Sequence, residues 1–150
     1  MIQRKQSIWL LLAAILTFLC FFLPFGINQQ SYAGSEVITE INLYAKSDIV
    51  LTIIASIASL LSLLIIFLYK NRSMQMKLTL LSVLLNLLLV VYSFVIASQA
   101  DKGNKFIIGI LGSQLYIGIL LPVLSIILLG MAYNGINSDD KLVKSTERLR

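Results

Sequence analysis

Four apolar stretches, at about residues 8–25, 49–69, 78–98 and 112–133, contain no Asp, Glu, Lys, Arg or His. Each is close to the roughly 20 residues a helix needs to cross a hydrocarbon core. A chain in lipid must satisfy its backbone polar groups internally, and runs of this length do so as helices. The expected fold is an all-α membrane protein. It has four antiparallel transmembrane helices, a small extended or β outer cap, and a short amphipathic C-terminal helix. Residues 1–133 would form the transmembrane domain and 134–150 a cytoplasmic tail. Only 13% of the 150 residues are charged, against about a quarter in a soluble domain, so no separate soluble domain is expected.

The net charge of +5 is topological and does not point to nucleic acid. Arg4 and Lys5 precede the first stretch. Lys70, Arg72 and Lys77 join the second and third, and Lys141, Lys144, Arg148 and Arg150 follow the fourth. The two other loops set Lys46, Lys102 and Lys105 against Glu36, Glu40, Asp48 and Asp101. Basic residues thus mark alternate span ends, as the positive-inside rule requires. Both termini are expected in the cytoplasm, which fits an even number of spans.

Arg4 and Lys5 also resemble the n-region of a signal peptide, and Ser31-Tyr32-Ala33 a small-x-small cleavage site. The apolar run is longer than an h-region, however, and Ala33 lies well past its end. A retained span is expected. Phe18-Leu19-Cys20 lacks the small residue that precedes a lipoprotein cysteine, so Cys20 reads as a small hydrophobe.

Within the spans, small and polar residues form a seam. In the second, Thr52, Ala55, Ser56, Ser59 and Ser62 share one side at 100° per residue; in the third, Ser82, Asn86 and Ser93 do. The short loop between them makes the two spans antiparallel neighbours, with Ser59 or Ser62 near the depth of Asn86. Such a seam either lines a solute path or bonds helices together. The absence of any charged member favours bonding. Pro122 in the fourth span is expected to kink it, with Ser125 re-satisfying the backbone. Asn134-Gly135 reads as a C-cap, after which Asn137 or Ser138 opens a new helix. That helix would carry Lys141, Lys144 and Arg148 on one face and Leu142 and Leu149 beside them, suiting anionic headgroups or a partner protein. Outside the membrane, Val37, Thr39, Ile41 and Leu43 share a strand face, and 104–108 is the expected pairing segment.

Catalytic signatures are missing. The chain has no His and one Cys, so the commonest general base and a Cys–His pair are both excluded. It has no GxxxxGK[ST] loop and no CxxC. Glu36 and Glu40 read as solvated loop charges. No enzyme activity, cofactor or metal is expected.

Both ends carry a resemblance. Met1-Ile2-Gln3-Arg4-Lys5-Gln6-Ser7-Ile8-Trp9-Leu10-Leu11-Leu12-Ala13 resembles the opening of a family of small four-span Bacteroidota proteins, domain-of-unknown-function family 4293. Asp139-Asp140-Lys141-Leu142-Val143-Lys144-Ser145-Thr146-Glu147-Arg148-Leu149-Arg150 is similar to its closing motif. The resemblance implies an inner-membrane protein of a two-membrane cell and no activity. The expected role is a non-catalytic accessory or scaffold subunit of a larger membrane assembly, contacting lipid and other membrane proteins. The alternative is a small oligomeric channel or carrier built on the seam and a kinked fourth helix.

Overall fold

A computed structural model describes residues 3–31, 38–69, 71–99, 103–111 and 113–148. The elements run α1 (Gln3–Leu19), β1 (Gly26–Ser31), β2 (Ile38–Leu43), a 3-10 turn (Ala45–Ser47), α2 (Ile49–Phe67), α3 (Arg72–Ala97), β3 (Asn104–Phe106), β4 (Gly109–Leu111), β5 (Gln114–Tyr116) and α4 (Leu120–Arg148). Ile49–Phe67, Arg72–Ala97 and Leu120–Val143 are long and apolar enough to cross a membrane, whereas α1 contributes a shorter apolar helix.

The helices close into a ring: α1 packs on α2 and α4, and α3 packs on the same two. Leu51, Ala55 and Leu89 pack in one buried cluster and Leu10, Ala13, Ile65, Leu129 and Ala132 in another, and Ala14, Ala58 and Ile136 are buried as well. Small residues let helices approach where lipid offers no hydrophobic drive to associate, and dispersion then holds them. The outer surface is Leu, Ile and Phe on all four helices, the reverse of a soluble bundle.

The joins α1–α2 and α3–α4 meet at one end in a three-stranded antiparallel sheet of order β2-β1-β3. This corrects the expected pairing of the 37–44 segment with 104–108: β1 lies between them. Asn28 faces Ile41 on one side and Asn104 on the other. The sequence of β1, Gly-Ile-Asn-Gln-Gln-Ser, has little strand propensity. It is extended because it leaves α1 between two willing partners, a case of context outweighing propensity. Leu43 is buried while Ile41, on the same face, is exposed, because the sheet outgrows the bundle end. Val37 lies outside the described residues.

The fourth span departs most from expectation. Residues 109–116 hold the β4–β5 hairpin, and the helix starts only at Leu120. Pro122 is therefore in its first turn and not at a mid-helix kink. A first-turn N–H has no acceptor within the helix, so proline costs nothing there. The helix also runs unbroken through Asn134 and Gly135 to Arg148, so the tail is no separate helix. A β-carbon on Gly135 would sit 2.9 Å from Gln6 Cγ. This glycine admits α1 and caps nothing.

Candidate functional site

The most deeply buried polar groups meet at the ring's centre. Thr17 of α1, Asn86 of α3 and Ser125 of α4 are all fully enclosed. Thr17 Oγ1 lies 3.0 Å from Asn86 Oδ1 and 3.0 Å from Ser125 Oγ. Both hydroxyls also lie near the Ala13 carbonyl, at 2.9 Å for Thr17 and 3.1 Å for Ser125. Each hydroxyl has a single proton. A self-consistent assignment has Ser125 donating to Ala13 O and Thr17 donating to Asn86 Oδ1. Asn86 Nδ2 donates 2.9 Å to the Ser82 carbonyl, and the Ser82 and Ser62 hydroxyls meet at 2.8 Å. One polar chain thus touches all four helices.

The expected seam is therefore present in part. Ser62, Ser82 and Asn86 belong to it. Ser93 is buried but donates within its own helix, to Leu89 O at 2.7 Å. Ser56 likewise returns to Thr52 O at 2.7 Å. Ser56 and Ser59 line a lateral groove of about 390 Å³ with Phe18, Phe21, Phe22 and Leu60, on the outside of the α1–α2 contact. Ser62 faces Ser82 and not Asn86. Thr17 and Ser125, which complete the seam, are absent from the sequence expectation as members. A signal existed: Thr17 is the lone hydroxyl of residues 8–23, and Ser125 the lone serine or threonine of 120–133. Ser125 serves the seam and not the Pro122 backbone.

At the end holding the start of α1 and the end of α4, a second cluster forms. Asp139, buried in α4, accepts from Gln6 Nε2 at 2.6 Å through its carboxylate and from Arg72 Nη1 at 2.7 Å through its carbonyl. Gln75 Nε2 donates to Ile65 O at 3.3 Å. These groups, with Ser7, Tyr69 and Ile136, enclose about 20 Å³, room for about one water. Asp139 is thus a tertiary link, not the N-terminal charge of a new helix. Lys141 and Leu142 are exposed one turn beyond. Lys144 and Arg148 lie on the same helix, but their side chains are outside the described set, and Leu149 lies outside the described residues.

At the sheet end, Asn28 Nδ2 donates 2.6 Å to Asn104 Oδ1, and Asn104 Nδ2 donates 2.9 Å to Ile96 O. This ties β1 and β3 to the end of α3. Asp48 caps α2 by accepting from Val50 N at 2.9 Å and Leu51 N at 3.2 Å. A cleft of about 220 Å³ opens between them, lined by Asn28, Tyr44, Asp48, Tyr92 and Gln99 among others. Among the described residues, Asn28 Oδ1 is the one buried side-chain polar atom without a partner. Tyr116 is buried beside this end and donates to Asn42 Oδ1. Burial first, then the Glu40 carboxylate and Tyr44, push its phenol above the ordinary 10.0.

Among the described residues, no three His, Cys, Asp or Glu side chains gather into a metal set. The chemistry on display is hydrogen bonding between helices. No curated protein and no solved structure matches the chain. A family model described as a domain of unknown function (DUF4293) matches residues 2–149. The chain belongs to that family.

Proposed function

We propose that this chain is a four-span, non-catalytic accessory or scaffold protein of a bacterial inner membrane, with both termini in the cytoplasm. It serves a larger assembly of envelope biogenesis or protein export. In this reading α1 also crosses the membrane, α1's start and α4's end face the cytoplasm, and the sheet faces the periplasm. The observation that carries it is the closed seam. Its hydroxyl and amide groups are spent on one another and on helix carbonyls, with no exposure at Thr17, Ser62, Ser82, Asn86 or Ser125. A solute path needs polar groups turned to water, so the seam weighs against the channel or carrier alternative. The basic end supports the orientation: Arg72, Lys77 and Lys141 sit there.

Purification from native membranes in mild detergent tests the reading. A stoichiometric partner is expected. Leu142→Ala with Leu149→Ala, or removal of 141–150, should release it while leaving the bundle folded, because Asp139 and its link to Gln6 are retained. A homo-oligomer that passes solutes in liposomes would overturn the proposal.

A further inference from the structure

The β4–β5 hairpin is built differently from the three-stranded sheet beside it. That sheet carries Glu40 and Lys105 on its strands. The hairpin carries no charge, and none occurs from Phe106 to Ser138. In its register Ile110 faces Leu115 and Leu111 faces Gln114. Directly opposite residues share one face of a sheet and successive residues alternate. Ile110 and Leu115 therefore form an apolar pair on one face, and Tyr116 points to the other, into the bundle. Ile110 is 77% exposed and Ile108 53%. A charge-free apolar face of this exposure is costly in water.

Its position decides what covers it. Both ends of the hairpin are fastened to the backbone just after α1. Ile107 N donates to Phe25 O at 3.4 Å and Gly118 N to Pro24 O at 3.0 Å. Gly118 is required for this fit, since a β-carbon there would stand 2.5 Å from Leu23 O. The hairpin thus leaves the bundle at the level where α1 ends. That level is short of a full crossing. The apolar helix Gln6–Leu19 spans about 21 Å at helical rise, against a core of about 30 Å. Phe18, on the last turn of α1, and Phe22, in the turn just beyond it, are both exposed, so the apolar belt is continuous from helix to hairpin.

We propose that the β4–β5 hairpin lies in the outer leaflet of the bilayer, with Ile108, Ile110 and Leu115 against lipid, and completes the apolar thickness that α1 lacks. Its outer strand edges keep unpaired backbone groups, which the hydrocarbon core does not accept. The hairpin therefore rests at the interface, where headgroups and water satisfy those edges, and the bilayer need not thin around the short helix. The inference rests on the membrane-spanning reading given above, and the test separates the two.

Ile110→Cys in a Cys20→Ser background is labelled with an environment-sensitive fluorophore and reconstituted in phosphatidylcholine vesicles. Leu115→Cys, on the facing strand, gives an independent second site. Leu84→Cys, on the exposed face of α3, reports mid-span position, and Lys46→Cys reports water. A blue-shifted emission at 110 and 115 is expected, quenched more by lipid nitroxides near the glycerol than by those near the chain end, and little by aqueous iodide. Emission and iodide quenching like those at 46 would overturn the inference. Shielding from both nitroxide and iodide would also overturn it, and would place a protein on this face. Failure of deep nitroxides to quench the label at 84 would instead overturn the membrane reading itself.

Discussion

Thr17 illustrates how a single hydroxyl acquires structural weight. In lipid an interhelical hydrogen bond contributes about 0.6–2 kcal/mol, whereas a buried acceptor left without a donor costs about 1–3 kcal/mol. Thr17→Val keeps the shape but orphans Asn86 Oδ1. Asn86→Leu removes acceptor and amide together, and Thr17 falls back on the Ala13 carbonyl at 2.9 Å. Thr17→Val should therefore destabilise the bundle by about 1–3 kcal/mol and Asn86→Leu by about 1 kcal/mol or less. Thermal unfolding in detergent measures both; equal losses would contradict the assigned direction of the Thr17 bond. Tyr116 gives a pH prediction. Its phenol is held above the ordinary 10.0 when folded, so the folded state keeps a proton that the unfolded state releases. Stability from this group is flat below the unfolded value and falls as pH rises above it. Tyr116→Phe should flatten that alkaline loss, seen as a smaller drop in melting temperature above pH 10.

The glycines sort the elements by what lies beside them. Gly130 is interior to α4, and a β-carbon there would meet nothing within 4 Å. Gly130→Ala should stabilise the helix by about 0.5–1 kcal/mol through backbone entropy. Gly118 lies where the chain passes from β5 to α4, and its added β-carbon would collide with the Leu23 and Pro24 backbone. Backbone cannot rotate aside, so Gly118→Ala should destabilise by about 1–3 kcal/mol. Melting curves of the pair should move in opposite directions. The same contrast explains the long α4. Gly135 is tolerated mid-helix because Gln6 packs on it, and Asp139, one turn later, holds Gln6 by hydrogen bond.

At the scale of the whole molecule, polar groups sit in three layers, one at each end of the bundle and one at its centre. Each joins elements distant in sequence: Gln6 with Asp139, Thr17 with Asn86 and Ser125, Asn28 with Asn104. Between them the contacts are apolar and alike, so these layers set register and rotation. If basic residues orient the bundle, a cysteine at Lys46 should react with an impermeant thiol reagent from the periplasmic side. One at Ser73 should react only after the membrane is opened. The opposite pattern would reverse the orientation and move the tail across the membrane.

Charge-free runs, read along the chain, were enough to specify an apolar helical protein, and the motifs at its two ends carried the resemblance to the family to which it belongs. The hydroxyl positions of α2 and α3 were legible too, because a serine among leucines stands out by itself. What the chain could not state was which helix would cover which face. A soluble helix announces its buried side by apolar contrast, but these helices are apolar all round and that contrast is missing. Thr17 and Ser125 became seam residues only when α1 and α4 closed the ring around Asn86. Gly135 looked like a helix end because local propensity was the only guide. The packing of α1, through Gln6 and Asp139, overrode it. β1 is the clearest instance: six residues with hardly a strand signal became the centre of the sheet because two partners, far apart in sequence, arrived on either side.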